Sequence, residues 1–98
     1  VRKGRNPEGD MKTFPFRILT PGGTIVGGDV THVQVRTQIG ALGVMARHAP
    51  MVVACPAGVV RIQQEGVWIE FKTDDAILTT DGTQATLLTA HAQFSGSA

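Results

Sequence analysis

The stretch Val59-Val60-Arg61-Ile62-Gln63-Gln64-Glu65-Gly66-Val67-Trp68-Ile69-Glu70-Phe71-Lys72 decides the fold class. Val60 and Ile62 alternate with Arg61 and Gln63, and Val67, Ile69 and Phe71 alternate with Trp68, Glu70 and Lys72. A period of two puts one apolar face on a core and leaves the other toward water, the pattern of a half-buried strand. Glu65-Gly66 sits between the two runs, where a tight hairpin needs a residue tolerant of positive φ. Working outward, Phe14, Phe16 and Ile18 alternate with Thr13, Pro15 and Arg17, Val33 and Val35 with Gln34 and Arg36, and Thr86 to Leu88 closes the series. Thr20-Pro21-Gly22-Gly23, Gly27-Gly28-Asp29 and Asp81-Gly82 read as further turns. Pro15 has no N–H to give to a ladder, so the first strand is expected at a sheet edge.

Nowhere do apolar residues recur at i, i+3, i+4 and i+7 over three turns, so little or no helix is expected. Short strands punctuated by glycine every ten residues or so predict an all-β fold, a flattened two-sheet β-sandwich, with a closed barrel as the alternative. The chain has 98 residues, 42% apolar and 17% charged, enough for one domain with a modest core. The domain is expected over residues 11–92. Residues 1–10 hold only Val1 as an aliphatic, so they are expected to be disordered or vector-derived. Residues 93–98, ending Ser95-Gly96-Ser97-Ala98, read as a flexible tail.

Composition excludes several functions. The longest apolar run, Met51 to Cys55, stops at Pro56, far short of a membrane-spanning helix. No apolar leader opens the chain. The net charge of +1, the scattered basic residues and the absence of Tyr give no nucleic-acid footprint. The one cysteine, Cys55, cannot form an internal disulfide and reads as a buried small hydrophobe, in keeping with a reducing compartment. His32, His48 and His91 lack the spacing of metal ligands, and Asp74-Asp75 has no third acid nearby, so no metal site is expected. Ser95 and Ser97 lie in the tail and no Gly-x-Ser-x-Gly elbow exists, so no catalytic residue is assigned. The glycine pairs precede strands, not helix N-termini, so no phosphate or nucleotide cofactor site is expected. Only Trp68 points away from a core face, a thin basis for the alternative reading of a small-ligand or carbohydrate-binding module.

What remains is Gly40-Ala41-Leu42-Gly43-Val44-Met45-Ala46-Arg47-His48-Ala49-Pro50, which by itself reads as a docking loop between two strands. This segment resembles the Gly-x-x-Gly-Ile-x-Pro-x-His-Ala-Pro signature of the epsilon subunit of F-type ATP synthases, called delta in mitochondria. Phe16-Arg17-Ile18-Leu19-Thr20-Pro21 is similar to that family's opening strand, Val30 to Arg36 to the strand before the signature, and Ala57-Gly58-Val59-Val60-Arg61-Ile62 to its Pro-Gly-x-x-x-Ile strand. The resemblance covers Met11 to Ala92. It implies a flattened β-sandwich and a non-catalytic central-stalk subunit, which links the gamma subunit to the polar loops of the membrane c-ring and supports coupling of ion flow to ATP synthesis. It further implies a peripheral place at the cytoplasmic face of the inner (plasma) membrane, with membrane contact only through the complex.

By the same resemblance, Gly40, Ala41, Leu42, Gly43, Val44, Arg47 and His48 fall on the c-ring side, with Met45 between them. Thr20, Ala49, Met51 and Val53 fall on the gamma side. Two positions depart from the family: Ala41 stands where an acidic residue is usual and Ala46 where proline is usual, so no ionic contact at residue 41 is implied. The inhibitory helical hairpin that follows the sandwich in bacterial relatives does not lie within the sequence, and that regulatory role is not expected of these residues.

Overall fold

The computed structural model describes residues 12–97; the expectation for residues 1–10 lies outside the described residues. Ten strands follow in order: β1 (Phe14–Thr20), β2 (Gly23–Val30), β3 (His32–Thr37), β4 (Gly40–Val44), β5 (Met51–Cys55), β6 (Gly58–Gln64), β7 (Val67–Thr73), β8 (Ala76–Thr80), β9 (Ala85–Thr89) and β10 (Ala92–Ser97). No helix occurs among the described residues. The first sheet runs β2-β1-β9-β8-β5 and the second β10-β7-β6-β3-β4. Among the described residues each sheet ends in two strands with a neighbour on one side only, so the architecture is a sandwich and not a closed barrel. All pairings are antiparallel except β1 with β9, which run parallel from Phe16/Ala85 to Leu19/Leu88.

The alternating residues meet where the sheets face each other. Phe16, Ile18, Leu78 and Leu87 from the first sheet pack against Val33, Val35, Val60 and Ile62 from the second, all buried. Two buried threonines tie connections to this core. Thr31, at the crossing from β2 to β3, donates its hydroxyl to the Gln63 carbonyl at 3.2 Å. Thr89 donates to carbonyl oxygens of the 74–75 turn at 3.1–3.2 Å. Each hydroxyl would otherwise be buried unpaired, at a cost of about 1–3 kcal/mol.

The hairpins follow their turn chemistry. Glu65 and Gly66 both have positive φ, 51° and 81°, the requirement of a type I′ turn whose twist matches its strands. In the 81–84 turn, Asp81 Oδ1 accepts the Thr83 N–H at 2.9 Å, the Thr83 hydroxyl at 2.8 Å and the Gln84 N–H at 3.0 Å. Those donors, the Thr83 N–H foremost, hold the Asp81 carboxyl down to about 2.

Four expectations need correction. Pro15 is not on an edge strand, because β1 lies between β2 and β9; the ladder to β9 begins only at Phe16, so the missing N–H falls where no partner strand runs. Gly27-Gly28 is not a turn: it lies inside β2, opposite Arg17 and Phe16. Gly40–Val44 is the edge strand β4, so the loop proper shrinks to residues 45–50. Residues 93–97, expected as a tail, belong to β10, which pairs with β7; Phe94 stands edge-on to Phe71 at 6.0 Å.

Candidate docking surface

No group of side chains among the described residues is arranged to react. Cys55 is 4% exposed, and burial pushes its thiol up despite a bond from the Leu78 backbone, so it is not an available thiolate. His48 Nε2 lies against the sulfur of Met51 at 3.3 Å, and His91 Nδ1 meets Asp74 Oδ2 at 2.9 Å on the open surface. Among the described residues no three His, Cys, Asp or Glu side chains cluster to hold a metal. Trp68 is half-buried beneath the Arg61 guanidinium, 4.6 Å from its ring, so part of that ring is already covered. Among the described residues no helix is long and apolar enough to cross a membrane.

The sandwich is better equipped to bind by shape. At one end two hairpins share a construction. Thr20 Oγ1 accepts the Gly22 N–H at 3.2 Å and donates to the Gly23 carbonyl at 3.2 Å. Thr37 Oγ1 accepts the Ile39 N–H at 3.2 Å and donates to the Gly40 carbonyl at 2.8 Å. In both, the residue closing the turn is a glycine at strongly positive φ, 124° and 129°. The second hairpin lifts Ile39 to 99% exposure, a large apolar side chain with nothing to rest on.

Beside these tips, the outer face of the first sheet carries an apolar row. Ala54 pairs with Ile77, Ile77 with Leu88, and Leu88 with Leu19, so all four lie side by side across four strands. Leu19, Ala54, Ile77 and Leu88, with Pro21 and Pro56, line a shallow depression of about 670 Å³. Around the β5 edge a second, apolar groove of about 480 Å³ is lined by Ile39, Ala41, Leu42, Met51 and Val53. Apolar surface that continues over a face and around an edge is what interaction sites expose.

The residues assigned from the signature are regrouped by this geometry. Ala41, Leu42, Met51 and Val53 come together in the β4–β5 groove, although the resemblance divides them between two partners. Thr20 joins the neighbouring depression, and Gly40 closes the adjacent hairpin. Gly43 is exposed midway along β4. Val44 is 1% exposed and belongs to the core, so it offers no contact area. Arg47, at φ 67°, and His48 lie at the opposite end beside Gly82 and Gln84, and Ala49 is pinned there by the Thr80 hydroxyl at 2.9 Å. Sequence reasoning missed Ile39, Val52, Ile77 and Leu88. The available signal was the lack of alternation in Met51-Val52-Val53-Ala54 and Ala76-Ile77-Leu78, which marks strands apolar on both faces.

Fold and surface together define a two-sheet β-sandwich with an apolar outer face. The comparisons with known proteins specify it. The model of the ATP synthase delta/epsilon chain β-sandwich domain matches residues 13–95, and the chain belongs to that family. The ATP synthase epsilon chain of Bacillus pumilus is 43% identical over 56 residues, 57% of this chain and 43% of that one. That of Ruminiclostridium cellulolyticum is 32% identical over 84 residues, 86% of this chain and 63% of that one. The matched region thus spans 43% and 63% of the length of these two relatives. Among solved structures, a chain of the Euglena gracilis mitochondrial ATP synthase, in an assembly of OSCP, F1 and c-ring, superposes with a TM-score of 0.79 at 16% identity. That superposition covers 96% of this chain and 61% of the other, and it shows the shared fold.

Proposed function

We propose that this chain forms the sandwich of a non-catalytic central-stalk subunit in an F-type ATP synthase rotor, joining the gamma subunit to the c-ring. The observation that carries the reading is the continuous apolar surface over Leu19, Leu88, Ile77 and Ala54 and around the β5 edge, in a domain of this family. A rotor part needs a stiff body and shaped contacts more than reactive groups. Two sheets sharing one close-packed core supply stiffness, since interiors of that density transmit strain. The apolar outer face and the Met51–Val53 wall of the groove meet the gamma subunit, and the Thr37–Ala41 hairpin tip, with Ile39 foremost, meets the polar loops of the c-ring. Without an acid at residue 41, that second contact rests on van der Waals packing and not on an ion pair. The assembly holds the domain at the cytoplasmic face of the membrane.

The test is co-purification of the 98-residue chain with a gamma subunit, followed by addition to an enzyme depleted of its own epsilon subunit. A stable complex and restored coupling of ion flow to ATP synthesis are expected. No complex at micromolar concentrations overturns the reading.

A further inference from the structure

Among the described residues the sandwich has four edge strands, and they are not alike. β2 is irregular: its register with β1 shifts between Ile18 and Leu19, and it carries Gly27, Gly28 at φ 148° and Asp29. β10 is irregular too, with its register to β7 shifted between Phe94 and Gly96, and Gly96 at φ 155°. Bulges and charges of this kind are how sheets discourage another chain from pairing with an edge. β4 and β5 have neither device. Their registers with β3 and β8 run without a shift, and no residue from Gly40 to Val44 or from Met51 to Cys55 is charged or proline.

Of these two plain edges, β5 is the one with apolar surroundings on both sides. On the outer face Val52 is 75% exposed, and Ala54 begins the row that continues through Ile77 and Leu88. On the inner side Met51 and Val53 border the groove shared with Ile39, Ala41 and Leu42. β4 differs: its outward neighbours are Arg36, beside Ala41, and Gln34, beside Gly43, with Arg61 next in the row.

We propose that β5 accepts an extended strand from a partner, which lengthens the first sheet to six strands. The geometry fixes the chemistry of that segment. One set of its alternating side chains would continue the Leu88–Ile77–Ala54 row, and the other set would fill the groove, so the segment is apolar on both faces. It is uncharged over about five residues, because β5 presents no charge for it to meet. Its backbone would satisfy the N–H and C=O groups of β5 that point away from β8, which have no partner among the described residues. This inference rests on the stalk reading, under which the strand belongs to the gamma subunit.

The experiment is residue-resolved amide hydrogen exchange on the whole chain, alone and saturated with a gamma subunit. Binding is expected to slow the β5 amides not bonded to β8 by about tenfold or more, in every second position from Met51 to Cys55, as new ladder bonds would. The amides of Gly23–Val30 on the bulged edge are expected to be unchanged. Val52→Lys is expected to weaken gamma binding by about tenfold and Ile25→Lys, on β2, by less than about twofold, with melting temperatures unaltered in both. If gamma binds and β5 exchange is unchanged, strand addition is wrong while the stalk reading stands. If gamma does not bind, both fall. If the free chain is already dimeric with β5 protected, a second copy occupies the edge and the proposal is overturned.

Discussion

The two sheets share one core yet turn unlike faces to their surroundings. Outside the first sheet lies Leu19–Leu88–Ile77–Ala54. Outside the second, the equivalent row is Gln34–Arg61–Glu70, with Arg61 Nε 3.2 Å from Glu70 Oε2, Arg61 Nη1 3.4 Å from Gln34 Oε1, and the Arg61 guanidinium over Trp68. The second face carries polar and charged side chains, some of them in contact with one another. The first has apolar atoms left in water, and burying them would stabilise a complex by roughly 25 cal/mol per Å² before the costs of association. The difference separates the residues that build the core from those that leave apolar surface on one outer face.

Substitutions can break that comparison. The largest effect belongs to the shared core: Phe16→Ala is expected to cost about 3–5 kcal/mol in urea unfolding, because it removes a fully buried ring between the sheets. Smaller, about 1–2 kcal/mol by the same measurement, is the cost of Gly66→Val, which forces a β-branched residue into the positive-φ site of the type I′ turn. Arg61→Ala on the polar face is expected to lower stability by about 0.5–1 kcal/mol, since its ion pair and its contact with Trp68 are both more than a third exposed or only partly buried, and to leave gamma binding unchanged. The smallest effect is pH-dependent. The Asp81 carboxyl is held at about 2 in the folded chain against an ordinary 3.8, so its contribution is full above about pH 4 and fades as pH falls through about 2. The stability gap between the parent chain and Asp81→Asn should therefore close on acidification, as followed by acid titration of unfolding.

How much of this was legible in the sequence follows from the same two faces. β1, β3, β6 and β7 were readable because one face is apolar and the other polar, which is what a period of two reports. β5 and β8 were harder to read because their outward residues Val52, Ala54 and Ile77 are apolar as well, so alternation fails on that outer face. Glycine misled in β2 and β4, where it looks like punctuation but permits an extended strand, and β10 was lost because only Phe94 marks it. The signature segment identified the family, yet it could not show that β4 carries Gly40 to one end of the sandwich and leaves Arg47 and His48 at the other. That division needs the register of β4 on β3, a non-local pairing.

The most direct test sets the two faces against each other in one binding measurement. Titrating a gamma subunit into Leu88→Asp and Trp68→Ala variants, each confirmed folded by its melting curve, should show at least about a tenfold loss of affinity for the first and less than about a twofold change for the second. Retained affinity in Leu88→Asp together with a loss in Trp68→Ala would place the docking surface on the other sheet and contradict the account.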